Sequence, residues 1–108
     1  MVFTGAQSNP VRSAYDIAKA GGRHGRWLLE QRALGVRQLE SGIQSIMRQV
    51  KLHEAWIADA GSKVQDWDDR DPRYQAGLLR KWQQDIERQQ EQIAIMKGVL
   101  HEKEAEGG

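Results

Sequence analysis

Residues 36–60 read VRQLESGIQSIMRQVKLHEAWIADA, and the spacing of their apolar positions decides the fold. Val36, Leu39, Ile43, Ile46, Val50, His53, Ile57 and Ala60 recur at steps of three and four, the period of one helix face rather than the alternation of a strand. The spacing predicts a helix of about 25 residues, about 37 Å long, with Gly61 as its stop. A second long stripe runs from Pro72 to about Lys103: Leu78, Trp82, Ile86, Ile93, Met96 and Leu100, interrupted at Gln89 or Gln90. Two helices of similar length joined by about ten residues pack antiparallel at the shallow angle of helix bundles. That register sets His53 near Trp82, Val50 near Ile86 and Leu39 near Met96.

Working outward, Asp71-Pro72 and Asn9-Pro10 are both helix openings, with an N-cap residue followed by proline at the first helical position. The first half therefore begins with a short helix from Pro10 to about Ala20, offering Val11, Tyr15, Ile17 and Ala18 for burial. Gly21-Gly22 ends it. A second short helix spans about Arg23 to Ala33, with Trp27, Leu28 and Leu29 as its apolar residues. In the connector, residues 62–71, Val64 and Trp67 can fold back over the end of the long helices. Asp68, Asp69 and Asp71 lack the glycine and distal glutamate of a calcium loop. The expectation is an all-α chain: a long antiparallel helical hairpin with two short N-terminal helices, one helical domain over residues 10–103. An unstructured start at 1–9 and a polar tail at 104–108 flank it.

Composition agrees with this class. The chain has 108 residues, 39% hydrophobic and 29% charged, with four tryptophans and no cysteine. One domain is the natural count at this length. Disulfides, thiolate metal sites and cysteine nucleophiles are excluded. No apolar run is long enough to span a bilayer, and residues 1–8 do not read as a secretory signal. The net charge of +1 is unevenly spread: residues 1–52 carry 8 Lys/Arg against 3 Asp/Glu, and residues 53–108 carry 8 against 12. The basic half suits nucleic acid or an acidic partner; equally, the two halves can attract each other.

Three histidines are candidates for chemistry. His24 follows Gly21-Gly22-Arg23 at a helix start, with Arg26 close by. Arginines hold phosphate oxygens, and imidazole moves protons near neutral pH. His24 with Arg23 and Arg26 is thus the minimum equipment for metal-free phosphodiester cleavage; the alternative is an exposed histidine after a plain turn. His53 lies on the apolar stripe, where it is either a core residue hydrogen-bonded to a side chain such as Glu87 or Gln89, or a second catalytic group brought near His24. His101, near the tail, reads as solvated. Trp67 and Trp82 can stack a base or serve as core. No cofactor or metal is expected.

Gly-Gly-x-His followed by a hairpin with Ser45, Arg48, His53 and Ile57 resembles the C-terminal domains of polymorphic bacterial toxins of the Rhs and contact-dependent-inhibition class. The likeness continues through Trp67, Leu78, Trp82, Glu87, Gln92-Ile93 and Gly98, and covers about Gly21 to Leu100. In that pattern a proline or small residue separates the second glycine from the histidine, where this chain has Arg23. An Asn-Pro pair also follows the second histidine's helix, where this chain has Asp59-Ala60. The resemblance implies the tip of a larger secreted bacterial protein, acting in the cytoplasm of a target cell and met there by a cognate immunity protein. Many such domains are nucleases. The expected function is an interbacterial toxin domain, a metal-independent nuclease on RNA or DNA with His24 and His53 catalytic and Arg23 and Arg26 on the phosphate. The alternative is a non-enzymatic helical module that binds a partner protein.

Overall fold

The computed structural model describes residues 10–107. It is all helical, with no strand among the described residues: α1 (Pro10–Lys19), α2 (Gly25–Arg32), α3 (Val36–Ala58) and α4 (Pro72–Gly107). The expectations for residues 1–9, the Asn9 cap, the Val11 side chain and Gly108 lie outside the described residues. Between α3 and α4 the chain makes two single 3₁₀ turns, Ala60–Ser62 and Trp67–Asp69. At 1.5 Å per residue the 36 residues of α4 span about 54 Å, nearly the full 56 Å length of the molecule. Every other helix packs on α4, which is the axle of the fold.

α3 starts without a side-chain cap at Gly35, but Gln38 reaches back to accept the Gly35 N–H at 2.8 Å, half of a capping box. Of its stripe, Leu39, Ile43, Val50 and His53 are buried and Val36 is exposed. α4 is buried on more than one side. Ala94, Ile95 and Met96 are consecutive and all buried, which spans about 200° of its circumference at 100° per residue. One sector faces α3, the other α1 and α2. Ala18, Leu28, Leu39, Ile43, Ile95, Met96 and Val99 form one core, in which all four helices take part. Tyr15 packs against it from α1, lying directly over Gly98, where even a methyl group would overlap the ring.

Four expectations are corrected here. α2 begins at Gly25, not Arg23, because His24 adopts a left-handed backbone at φ 68°. The polar tail continues α4 helically to Gly107. Glu102 and Lys103 anchor that last stretch to Arg32 of α2, and Glu, Lys and Ala are good helix formers. Ile17, offered for burial, is exposed at 49%, and Leu29 of α2 stands exposed at 61%. Finally, the pairing between α3 and α4 lies three residues further along α4 than expected. His53 faces Asp85, Trp56 meets Trp82, and the Met96 methyl lies over Gly42. Three residues are nearly one helical turn, so the slip keeps the same face apolar and leaves no trace in the periodicity. The connector packs in keeping with this pairing: Trp67 stacks on Trp82 at 6.3 Å, and Gln75 donates to the Trp67 carbonyl at 2.6 Å. The chain thus folds back over the first turns of α4, which reach past the end of α3.

Candidate functional site

The corner between α1 and α2 is built by glycine. Gly21 takes φ +95°, the left-handed cap that only glycine adopts without strain. Its N–H donates to the Ala18 carbonyl and that of Gly22 to the Ile17 carbonyl, at 3.0 and 2.9 Å. The Gly25 N–H then donates to the Gly22 carbonyl at 2.8 Å. The reversal leaves His24 as the N-cap of α2, at φ 68° and ψ 12°, with no cap hydrogen bond from its ring. A left-handed backbone costs a residue with a side chain about 1–2 kcal/mol, so other contacts must hold it.

They come from α4. The His24 Nε2 lies 2.9 Å from Glu91 Oε1, and the Arg23 Nε donates to the same oxygen at 3.0 Å. Burial alone would raise the Glu91 carboxyl, but the hydrogen bonds from His24 and Arg23, with the Arg23 charge, outweigh it and hold the group below the usual carboxylate range. The imidazole is largely enclosed, at 18% exposure, whereas Arg23 is 65% exposed. Arg26 is also exposed but turns away, lining a groove of about 320 Å³ between α1 and α2 with Ala18, Lys19, Leu28, Leu29 and Arg32.

His53 lies elsewhere. It is buried, and its Nδ1 sits 2.8 Å from the Gln49 carbonyl one turn back. A carbonyl only accepts, so Nδ1 carries a proton there. Its Nε2 is 3.5 Å from Asp85 Oδ2. The partner on α4 is therefore Asp85 rather than Glu87 or Gln89, a direct consequence of the register shift. Glu87 is exposed, and Gln89 is buried with its Oε1 unpartnered. Hydrogen bonds from Lys81 and then Arg88, at 2.9 and 3.0 Å, overcome burial and lower the Asp85 carboxyl. Asp85 and Glu91 are six residues apart on α4, about 9 Å along its axis and about 240° around it. Each histidine thus has its own carboxylate on its own side of α4.

Trp56, Trp67 and Trp82 form a chain of ring contacts beside His53, and Lys63 lies 4.5 Å over the Trp56 ring. The stacked faces of Trp67 and Trp82 are turned to each other.

At the far end of α2, Arg32 places Nε and Nη2 on the two oxygens of Glu102 at 2.9 and 2.8 Å. Tyr15 donates to the same carboxylate from α1, and Lys103 donates to the Arg32 carbonyl at 2.9 Å. The hydrogen bond from Arg32 holds Glu102 down to about 2, while burial and then Glu102 push Tyr15 up to about 12.

Glu91, Asp85 and Glu102 were missed by motif reading because each sits in a polar run of α4. The usable signal was the charge imbalance, since Arg23–Glu91 and Arg32–Glu102 each join the basic half to the acidic half. Among the described residues no helix is long and apolar enough to cross a membrane. No family model, curated protein or solved structure matches the chain.

Proposed function

We propose that this chain is an interbacterial toxin domain that cleaves nucleic acid without a metal, with His24 as its general base. The observation that carries this reading is the corner at residues 21–25. A histidine is held there in a left-handed backbone, with Nε2 committed to a carboxylate and an exposed arginine beside it. Strained residues of this kind gather where chemistry is done. With Nε2–H donated to Glu91, the lone pair is on Nδ1, which no cap bond uses. Nδ1 takes the proton of the attacking hydroxyl or water, whose oxygen bonds to phosphorus as the ester bond to the leaving oxygen breaks; solvent protonates the leaving oxygen and takes the proton back from Nδ1. Arg23 meets the phosphate, and Arg26 tracks the flanking strand. His53 acts as a core residue tying α3 to Asp85. α3 and α4 serve as a rigid antiparallel hairpin, a reading supported by contacts whose numbers rise on α3 as they fall on α4. The domain is the tip of a larger secreted protein, works in the target-cell cytoplasm and is blocked by a dedicated immunity protein.

The test is incubation of purified protein with labelled tRNA, rRNA and plasmid, with and without chelator. Cleavage that persists in chelator and vanishes in His24→Asn supports the reading; Asn tolerates the left-handed backbone but carries no base. No cleavage of any substrate, or equal cleavage by the variant, contradicts it. A second reading, a non-enzymatic partner-binding module, is favoured by Leu29 standing 61% exposed in the groove that Lys19, Arg26 and Arg32 surround. It predicts that Leu29→Ser abolishes function while His24→Asn is silent.

A further inference from the structure

We infer that Glu91 is an internal stand-in for a phosphate group, occupying an anion seat formed by Arg23 and His24 that a phosphate can take over. The inference rests on the site proposed above and concerns its regulation. The two arginine–glutamate junctions of α2 with α4 differ in a way that points to it. Arg32 gives Glu102 one full edge of its guanidinium, two parallel bonds from Nε and Nη2 on two oxygens, the arrangement that carboxylates fill completely. Arg23 gives Glu91 only its Nε, on an oxygen already shared with His24. One carboxylate oxygen thus serves two donors on different side chains. A phosphate has more oxygens, which can be shared between the guanidinium fork and the imidazole. The seat also opens to water, with Arg23 65% and Glu91 32% exposed, whereas Glu102 is further covered by Tyr15. No neighbouring cation competes for Glu91 along α4, because Arg88 is engaged by Asp85. In the resting protein Glu91 neutralises the seat; an incoming phosphate displaces it and accepts the His24 Nε2–H in its place, so that Nδ1 keeps its lone pair, and Glu91 swings into solvent.

The probes are inorganic phosphate and a short single-stranded oligonucleotide, titrated into the intact chain and into Glu91→Gln. Glu91→Gln removes the charge that competes for the seat, and an ion pair at this distance is worth a factor of about five even at the dielectric of water. Phosphate should therefore bind Glu91→Gln at least about fivefold more tightly, and Arg23→Ala in that background should cancel the gain. Unchanged or weaker binding by a folded Glu91→Gln protein overturns the proposal. Should that variant not fold, the wild-type chain decides: phosphate must move the side-chain NMR signals of Arg23, His24 and the Glu91 carboxyl carbon together, and an unmoved Glu91 overturns it. A gain for the oligonucleotide and not for inorganic phosphate also overturns it, since the seat as drawn takes the phosphate group itself. Tighter phosphate binding without nucleic-acid cleavage upholds the seat and removes the nuclease reading. Cleavage with unchanged phosphate affinity does the reverse.

Discussion

The two ends of α2 are both fastened to α4 by an arginine and a glutamate, yet they are different kinds of junction. At the C-terminal end, Arg32, Glu102, Tyr15 and Lys103 interlock three helices, with Tyr15 seated on Gly98. At the N-terminal end a single carboxylate oxygen holds Arg23 and a left-handed His24. The first is redundant and closely fitted, as a fold-holding junction should be. The second is sparse, open and strained, as a junction that must let something in should be. On the proposal above, the same pair of residue types does two jobs, and geometry rather than composition tells them apart.

The largest expected effect breaks the closely fitted end. Gly98→Ala puts a methyl group into the Tyr15 ring, and α1 must lift from α4. A loss of about 3 kcal/mol is expected from such overpacking, read by denaturant melts. By contrast Gly42→Ala meets only the flexible tip of Met96 and should cost much less. Equal losses at the two glycines would show that Tyr15 is not seated as described.

Next is the Glu102 carboxylate. Glu102→Gln keeps its shape but removes the charge that Arg32 grips, at about 2 kcal/mol for a charge-assisted bond. The pH dependence has a definite sign. Glu102 sits at about 2 when folded, below its ordinary value, so its contribution is complete above the ordinary carboxylate range and is lost as pH falls through about 2. Tyr15 is raised to about 12, so its contribution holds below its ordinary value near 10 and is lost as pH rises through about 12. Melts across pH should show the acid limb flattened in Glu102→Gln; a limb unchanged from wild type would assign the acid sensitivity to other carboxylates.

How much of this the sequence showed follows from what periodicity records. The face of α3 was legible because it meets one partner, so Leu39, Ile43, Val50 and His53 fall on one stripe. α4 meets partners on two sides, and its second sector, Ile95 and Val99, was invisible to a search for a single stripe. The pairing of α3 with α4 differs from the register expected of the periodicity by nearly a turn because such a slip preserves the stripe, and Trp67, which stacks on Trp82, lies in a connector without period. Of the candidate site, Arg23 and His24 could be read from the Gly-Gly turn before them, since the turn is local. Glu91 could not, because it lies 67 residues from His24 in the chain and no spacing rule reaches that far.

His53 sharpens the comparison from α3. It bonds the Gln49 carbonyl and faces Asp85; as a buried partner it belongs with the fold-holding kind. His53→Ala should cost about 1–3 kcal/mol while any surviving folded protein keeps its activity. A melt unchanged from wild type with activity lost would move His53 into the site. Smallest on stability is the open end. Glu91→Gln should change the melt by no more than about 1 kcal/mol, the range of partly exposed ion pairs, and a larger loss would make this junction structural like its counterpart.

The most direct test is growth of an unprotected bacterial host expressing the chain with His24→Asn, beside the thermal melt of the same purified variant. The predicted result is restored growth with a melting temperature within a few degrees of wild type, a shift of about 1 kcal/mol or less for a domain of this size. A folded His24→Asn chain that remains fully toxic would contradict the assignment of His24 as the base.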